Sequence, residues 1–186
     1  LTNLKPLATL YLGRHLTSLK TFAARSMRVC PPMQSLEGLT AGCGPNLRVL
    51  ILPTLVRGAG PHALLRLLAA CPNLEHCELP GTTSADPDIA IRVPPLRRLR
   101  FLSMPEPGGK LLAKSLFSAC KHVAHLQIGF QPSPRAKHFN IGLHLKALRQ
   151  LDLMDVGCPI NLSEWAPMVK TLTALRANDV VLVSSG

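Results

Sequence analysis

Aromatic residues are scarce in this chain: one Trp, one Tyr and five Phe make up 4% of 186 residues. A core with so few large rings has to be assembled from many similar aliphatic contacts. The 47% hydrophobic content is rich enough for that and excludes wholesale disorder. Acidic residues are scarce too, ten against 21 Lys and Arg, which leaves a formal charge of +11 and an isoelectric point near 10.0. So few carboxylates offer little material for the paired acids of general acid and base chemistry. Long apolar runs are missing. The longest stretch free of Asp, Glu, Lys, Arg and His is the ten residues Gly38 to Leu47, whereas a membrane-spanning helix needs roughly 20 mostly apolar residues. No transmembrane segment is therefore expected.

Motifs of catalysis are missing as well. The sequence holds no H-E-x-x-H, no G-x-S-x-G, no G-x-x-x-x-G-K-[ST] and no paired C-x-x-C. Two patterns imitate metal sites, Cys120-x-His122-x-x-His125 and Cys71 with His76-Cys77. In both, strand alternation sends the Cys and the His to opposite faces, so the ligands diverge instead of meeting around a tetrahedral ion. The expectation is a chain with no catalytic residue, no metal and no cofactor. The six cysteines, Cys30, Cys43, Cys71, Cys77, Cys120 and Cys158, are expected as reduced, buried thiols, because nothing else in the sequence supports an extracellular disulfide framework. The chain opens at Leu1 with no initiator Met, no charged segment and no apolar run ahead of a cleavage site. That start reads as the edge of a fragment or of a processed chain.

What the sequence does contain is a repeat. The pattern apolar-x-x-apolar-x-apolar occurs six times in succession: Leu47/Leu50/Leu52, Leu74/Cys77/Leu79, Leu99/Leu102/Met104, Val123/Leu126/Ile128, Leu148/Leu151/Leu153 and Leu172/Leu175/Ala177. Successive last anchors are 27, 25, 24, 25 and 24 residues apart, a regularity that chance matches in a Leu-rich chain would not keep. Two further copies are read upstream, Leu7/Leu10/Leu12 and a weaker Ala24/Met27/Val29. Between the strands lie amphipathic helices. Pro61 to Cys71 begins with Pro at a first helical position and puts Leu64, Leu67, Leu68 and Cys71 on one face. Lys110 to Cys120 repeats this with Leu112, Leu116 and Ala119 inward. Segments rich in Pro, Ser, Thr and Gly at Gly81 to Pro87 and Gln131 to Lys137 read as irregular insertions.

The chain resembles the leucine-rich repeat family over roughly residues 4 to 180, in its period and in its L-x-x-L-x-L core. Cys71-Pro-Asn-Leu74 and Cys120-Lys-His-Val123 place a Cys three residues before the first anchor, and Cys43-Gly-Pro-Asn-Leu47 does so with one residue inserted. In this the chain is similar to the cysteine-containing subclass found in F-box proteins and in a small mitochondrial group that includes the ATP synthase coupling-factor subunit s. It departs from the family just after the strand, where Pro53, Pro80, Pro105, Gly129 or Met154 replaces the usual Asn or Cys. The resemblance implies an α/β leucine-rich-repeat solenoid, a curved horseshoe of short parallel strands and helices with about seven repeats of roughly 25 residues. It spans 1–186 as a single domain, with irregular N-terminal repeats or a cap over 1–46, regular repeats over 47–177 and a tail over 178–186.

In such a fold, strand alternation sends the anchors inward and leaves the intervening residues on the concave sheet face. One column there reads Val49, His76, Phe101, His125 and Gln150, and the next reads Ile51, Glu78, Ser103, Gln127 and Asp152. These ten are the candidate partner-binding face. The basic surplus lies elsewhere, in Arg92, Arg97, Arg98, Arg100, Lys110, Lys114 and Lys121, with a second group at Arg14, Lys20, Arg25 and Arg28. Two readings of it stay open: sequence-independent contact with RNA or an anionic lipid surface, or a solvated helical face. No aromatics interleave with the arginines, so base stacking lacks its platform. Trp165 also has two readings, a cover for the last core layer or an exposed anchor for a partner.

The expected function is a non-catalytic protein-interaction or scaffold module, an accessory subunit of a large intracellular assembly. The basic charge and the coupling-factor resemblance favour a mitochondrial setting over a cytoplasmic or nuclear one. The alternative is the substrate-recognition region of an F-box ubiquitin-ligase adaptor.

Overall fold

The backbone hydrogen bonds follow the period read from the sequence. The structure, a computed structural model, describes residues 15–24, 32–52, 56, 60–80, 93–104, 110–129, 145–154, 160–161, 171–177 and 182–183. Seven short strands, β1 (Thr21–Ala23), β2 (Val49–Ile51), β3 (His76–Glu78), β4 (Phe101–Met104), β5 (His125–Gly129), β6 (Gln150–Met154) and β8 (Ala174–Ala177), form one sheet. All its pairings are parallel, each strand lies beside the next in sequence, and the sheet does not close on itself. A two-residue parallel pair, β7 (Ile160–Asn161) with β9 (Leu182–Val183), stands apart from it. Among the described residues, three α-helices lie in the gaps: α1 (Met33–Cys43), α2 (Pro61–Ala69) and α3 (Lys110–Ala119). The expected α/β class with short parallel strands is therefore observed. No described helix is long and apolar enough to cross a membrane.

Each junction between neighbouring strands is built the same way. The carbonyl of Lys20 accepts the amides of both Arg48 and Val49, at 2.8 and 3.0 Å. The carbonyls of Arg48, Glu75, Arg100, Ala124 and Arg149 each accept the two equivalent amides of the following unit. Ahead of the strand, the amide of each first anchor closes a turn onto the carbonyl three residues back: Leu47 to Gly44, Leu74 to Cys71, Leu99 to Leu96, Val123 to Cys120 and Leu148 to Leu145. Leu96 and Leu145 thus take the same turn position as Cys71 and Cys120 and are as fully buried.

This register corrects the reading of the first unit. Phe22 pairs with Leu50, and the Leu19 amide closes the same turn onto Leu16, so the first copy among the described residues is Leu19/Phe22/Ala24. Ala24, taken from sequence as a first anchor, is a last anchor: its amide bonds to Ile51 O as that of Leu52 bonds to Glu78 O. The weak copy read at Ala24/Met27/Val29 is therefore out of register, and the copy Leu19/Phe22/Ala24 was not read from the sequence. Leu7 to Leu12, Met27, Val29 and Trp165 lie outside the described residues, as do Cys30, Cys158 and both expected insertions. Within 1–46, read only as irregular, α1 is an 11-residue helix burying Met33, Leu36 and Leu39.

The core is a column of anchors closed on one side by helices. Leu47, Leu74, Leu99, Val123 and Leu148 are fully buried, as are Cys77, Leu102, Leu126 and Leu151. From α2 come Leu64, Leu67 and Leu68 as expected, joined by Leu65; from α3 come Leu116, Phe117 and Ala119. The last copy behaves differently. Leu175 keeps 44% of its surface exposed, and Ala177 is exposed. Both sit on the end strand of the described sheet, and burial of this kind needs a neighbour on each side.

Gly44, the extra residue in Cys43-Gly-Pro-Asn-Leu47, has a packing reason. It opens a single turn of 3-10 helix (Gly44–Asn46) and lies against the end of α2. A Cβ there would run into the carbonyl oxygen of Ala70 and also crowd Cys71 Sγ. Neither the backbone carbonyl nor the buried thiol can swing away. Gly44→Ala is expected to cost about 1–3 kcal/mol, read as a lower urea midpoint with unchanged slope.

Candidate functional site

The parallel register brings the ten candidate residues together on the sheet face turned away from the core. Val49, His76, Phe101, His125 and Gln150 are direct strand-to-strand neighbours, and so are Ile51, Glu78, Ser103, Gln127 and Asp152. Their side chains engage one another. The His76 and Phe101 rings stack with centroids 4.2 Å apart and planes 7° from parallel, and His125 meets Phe101 edge-on at 4.7 Å and 88°. Both are arrangements that a ring quadrupole favours. Each imidazole is then held by a carboxylate, His76 Nε2 at 2.9 Å from Glu78 Oε1 and His125 Nε2 at 2.8 Å from Asp152 Oδ2. Gln150 Nε2 donates to the same Asp152 carboxylate at 3.2 Å. Below the rings, Ser103 Oγ donates to Gln127 Oε1 at 3.0 Å, and Gln127 Nε2 approaches Met154 Sδ at 3.1 Å.

The result is a patch of half-exposed rings with fixed orientations. Two of the ten depart from expectation, since Ile51 and Ser103 retain only 8% exposure. At that burial they support the patch more than they display it. The acidic pair expected on this face, Glu78 and Asp152, is tied to the imidazoles and is not a free negative surface. The sequence reading missed Met154, which extends the second chain of contacts, and Arg176, the neighbour of Asp152 on β8. Met154 follows the alternation one step further along β6 and Arg176 continues the second column onto β8, signals present in the sequence.

The thiols lie on the other side of the sheet. Cys43, Cys71, Cys77 and Cys120 are unpaired and fully buried. Burial pushes Cys71 and Cys120 up to about 12, and the nearby Cys43 thiol adds to the effect on Cys71. Cys77 is raised well above its usual value, first by burial and then by the thiols of Cys120 and Cys71. Thiols held in the neutral form in this way are poor nucleophiles at neutral pH. Among the described residues, no three His, Cys, Asp or Glu side chains come together as metal ligands would.

The basic candidates fall into a different place. Arg97 and Arg98 form the turn before β4 and Arg100 precedes its first residue, all three exposed, so this segment is not part of a helical face. Arg100 Nη1 reaches the carbonyls of Arg97 and His122, at 3.3 Å each. Lys110 and Lys114 belong to α3, but their side chains lie outside the described residues, as does Arg92. Of the second basic group, only Lys20 is described. An asparagine pair recurs on this side: Asn46 Nδ2 donates to Thr17 O at 2.6 Å and Asn73 Nδ2 to Pro45 O at 2.7 Å. Each Asn precedes a first anchor and fastens its turn to that of the preceding unit, so a short amide ladder exists ahead of the strand, not after it.

Comparison with protein-family models, with curated proteins and with solved structures finds no match to this chain, so its functional reading rests on the geometry above.

Proposed function

We propose that this chain is a leucine-rich-repeat solenoid whose exposed sheet face docks a protein partner, without catalysis, as an accessory subunit of a large intracellular assembly. The observation that carries the reading is the row His76, Phe101, His125. Half-exposed rings are already held in place by stacking and by carboxylates, so a partner that covers them loses little side-chain freedom in doing so. Aromatic anchors at the centre of a patch, surrounded by satisfied polar groups, are where binding energy concentrates in protein interfaces. The basic charge and the coupling-factor resemblance favour a mitochondrial assembly, where acidic neighbours would offset +11.

The test is native size fractionation of the source cell with mass spectrometry of what co-migrates. Fixed stoichiometry with one assembly is expected, and cullin-ligase components would replace this reading with the ubiquitin-adaptor one. Phe101→Ala is expected to weaken that association by about tenfold or more while leaving the melting temperature nearly unchanged. A large drop in melting temperature would mean that the ring serves the fold and not a partner.

A further inference from the structure

The turns that lead into the strands align a second set of side chains, independent of the ring row. Of the six residues whose carbonyl is shared at a junction, four are exposed cations, Lys20, Arg48, Arg100 and Arg149, and Glu75 and Ala124 hold the other two places. Two residues ahead of the first anchor, Arg97, Lys121 and Lys146 make a parallel row, also exposed. Strands in a sheet are about 4.8 Å apart, so Lys20 to Arg149 crosses five intervals, on the order of 24 Å. Glu75 is the single acidic residue in these rows, and it is already paired with Arg48 at 3.0 Å. Among the described residues, no other carboxylate forms an ion pair at this edge. Lys20 and Arg48 of the first row, together with Arg98, border a shallow cleft of about 370 Å³ around Asn46 and Asn73 of the asparagine ladder. Sequence distance hides this cluster, because Lys20 and Arg98 are brought together only by stacking four units.

We infer that this edge binds the phosphodiester backbone of single-stranded nucleic acid, without regard to base sequence. A line of cations at strand spacing matches a linear polyanion. Arg, which predominates here, pairs with phosphate through a planar fork. The rows contain no Leu, Ile, Val, Met, Phe, Trp or Tyr. A protein interface would need such an apolar anchor at its centre, and a peripheral membrane surface would need one to insert. Backbone binding by counterion release needs neither. The same lack removes the stacking platforms that would discriminate bases.

The experiment is fluorescence anisotropy of the full chain with a labelled oligouridylate long enough to span the row, between about 50 and 200 mM salt. Five contacts along one strand, from Lys20, Arg48, Arg98, Arg100 and Arg149, predict a slope of log K against log salt of about −3.5, an affinity loss of about 100-fold over that range. The triple variant Lys20→Gln, Arg98→Gln, Arg149→Gln is expected to weaken binding at least about tenfold and to make the slope shallower by about 2. These three side chains are exposed, so the melting temperature should hold. Oligoadenylate should bind as oligouridylate does. Three results would overturn the inference: Arg66→Gln with Arg176→Gln, away from this edge, costing as much per charge removed; phosphatidylserine vesicles or polyglutamate binding as tightly at equal salt; or a triple variant that binds as the unaltered chain.

Discussion

Replacing Leu102 with alanine lowers the stability of the fold by about 2–5 kcal/mol, a large part of the 5–15 kcal/mol typical of a domain. Leu102 is fully buried on β4, the middle strand of seven, between its register partners Cys77 and Leu126, which are equally buried. The cavity left behind cannot close easily, because β4 is hydrogen-bonded in register on both sides and cannot shift without breaking one ladder. Leu175 holds the same place in its own unit but lies on the end strand with 44% of its surface exposed. Leu175→Ala should therefore cost only about 1 kcal/mol. Urea denaturation of the two variants separates the cases, and equal costs would contradict a core that runs as one column and thins at its end.

How much of this was readable beforehand depends on what carried the signal. Leu47, Leu74, Leu99, Val123 and Leu148 recur at near-constant spacing, and the buried side of the sheet followed directly from them. Alternation then gave both columns of the exposed face, because a parallel register without slip places equivalent residues side by side. The first unit was misread because its last anchor is Ala24: a small side chain satisfies the geometry at the edge of the stack but scores poorly as an apolar anchor. Ring orientation at His76, Phe101 and His125 was not readable, since it depends on carboxylates one strand away or two residues along. The cationic edge was hidden for a further reason. Its members belong to turns, where residue type is not constrained by burial, and they become neighbours only through the shared-carbonyl junctions. The densest basic segment in the sequence, Arg97 to Arg100, turns out to be one station of a longer row.

Alkaline pH is expected to unfold this protein through its buried thiols. Cys71 and Cys120 are held up to about 12, against an ordinary value of 9.0, because burial penalises the thiolate. The unfolded chain releases these protons near pH 9 while the folded chain keeps them, so the folded state binds more protons and stability falls as pH rises. The contribution is fully present below about pH 9 and is lost progressively up to about pH 12. At about pH 10.5 the loss is about 2 kcal/mol for each of the two thiols. The decisive measurement is a difference between a variant and the unaltered chain. Cys120→Ala removes one such group, and its stability should decline less steeply with pH, by about 1.4 kcal/mol per pH unit between about pH 9.5 and 11. Any constant cost of the smaller side chain shifts the whole curve without changing that slope. Parallel curves for the variant and the unaltered chain would mean that Cys120 ionises as readily folded as unfolded, which is incompatible with its fully buried place at the turn before Val123.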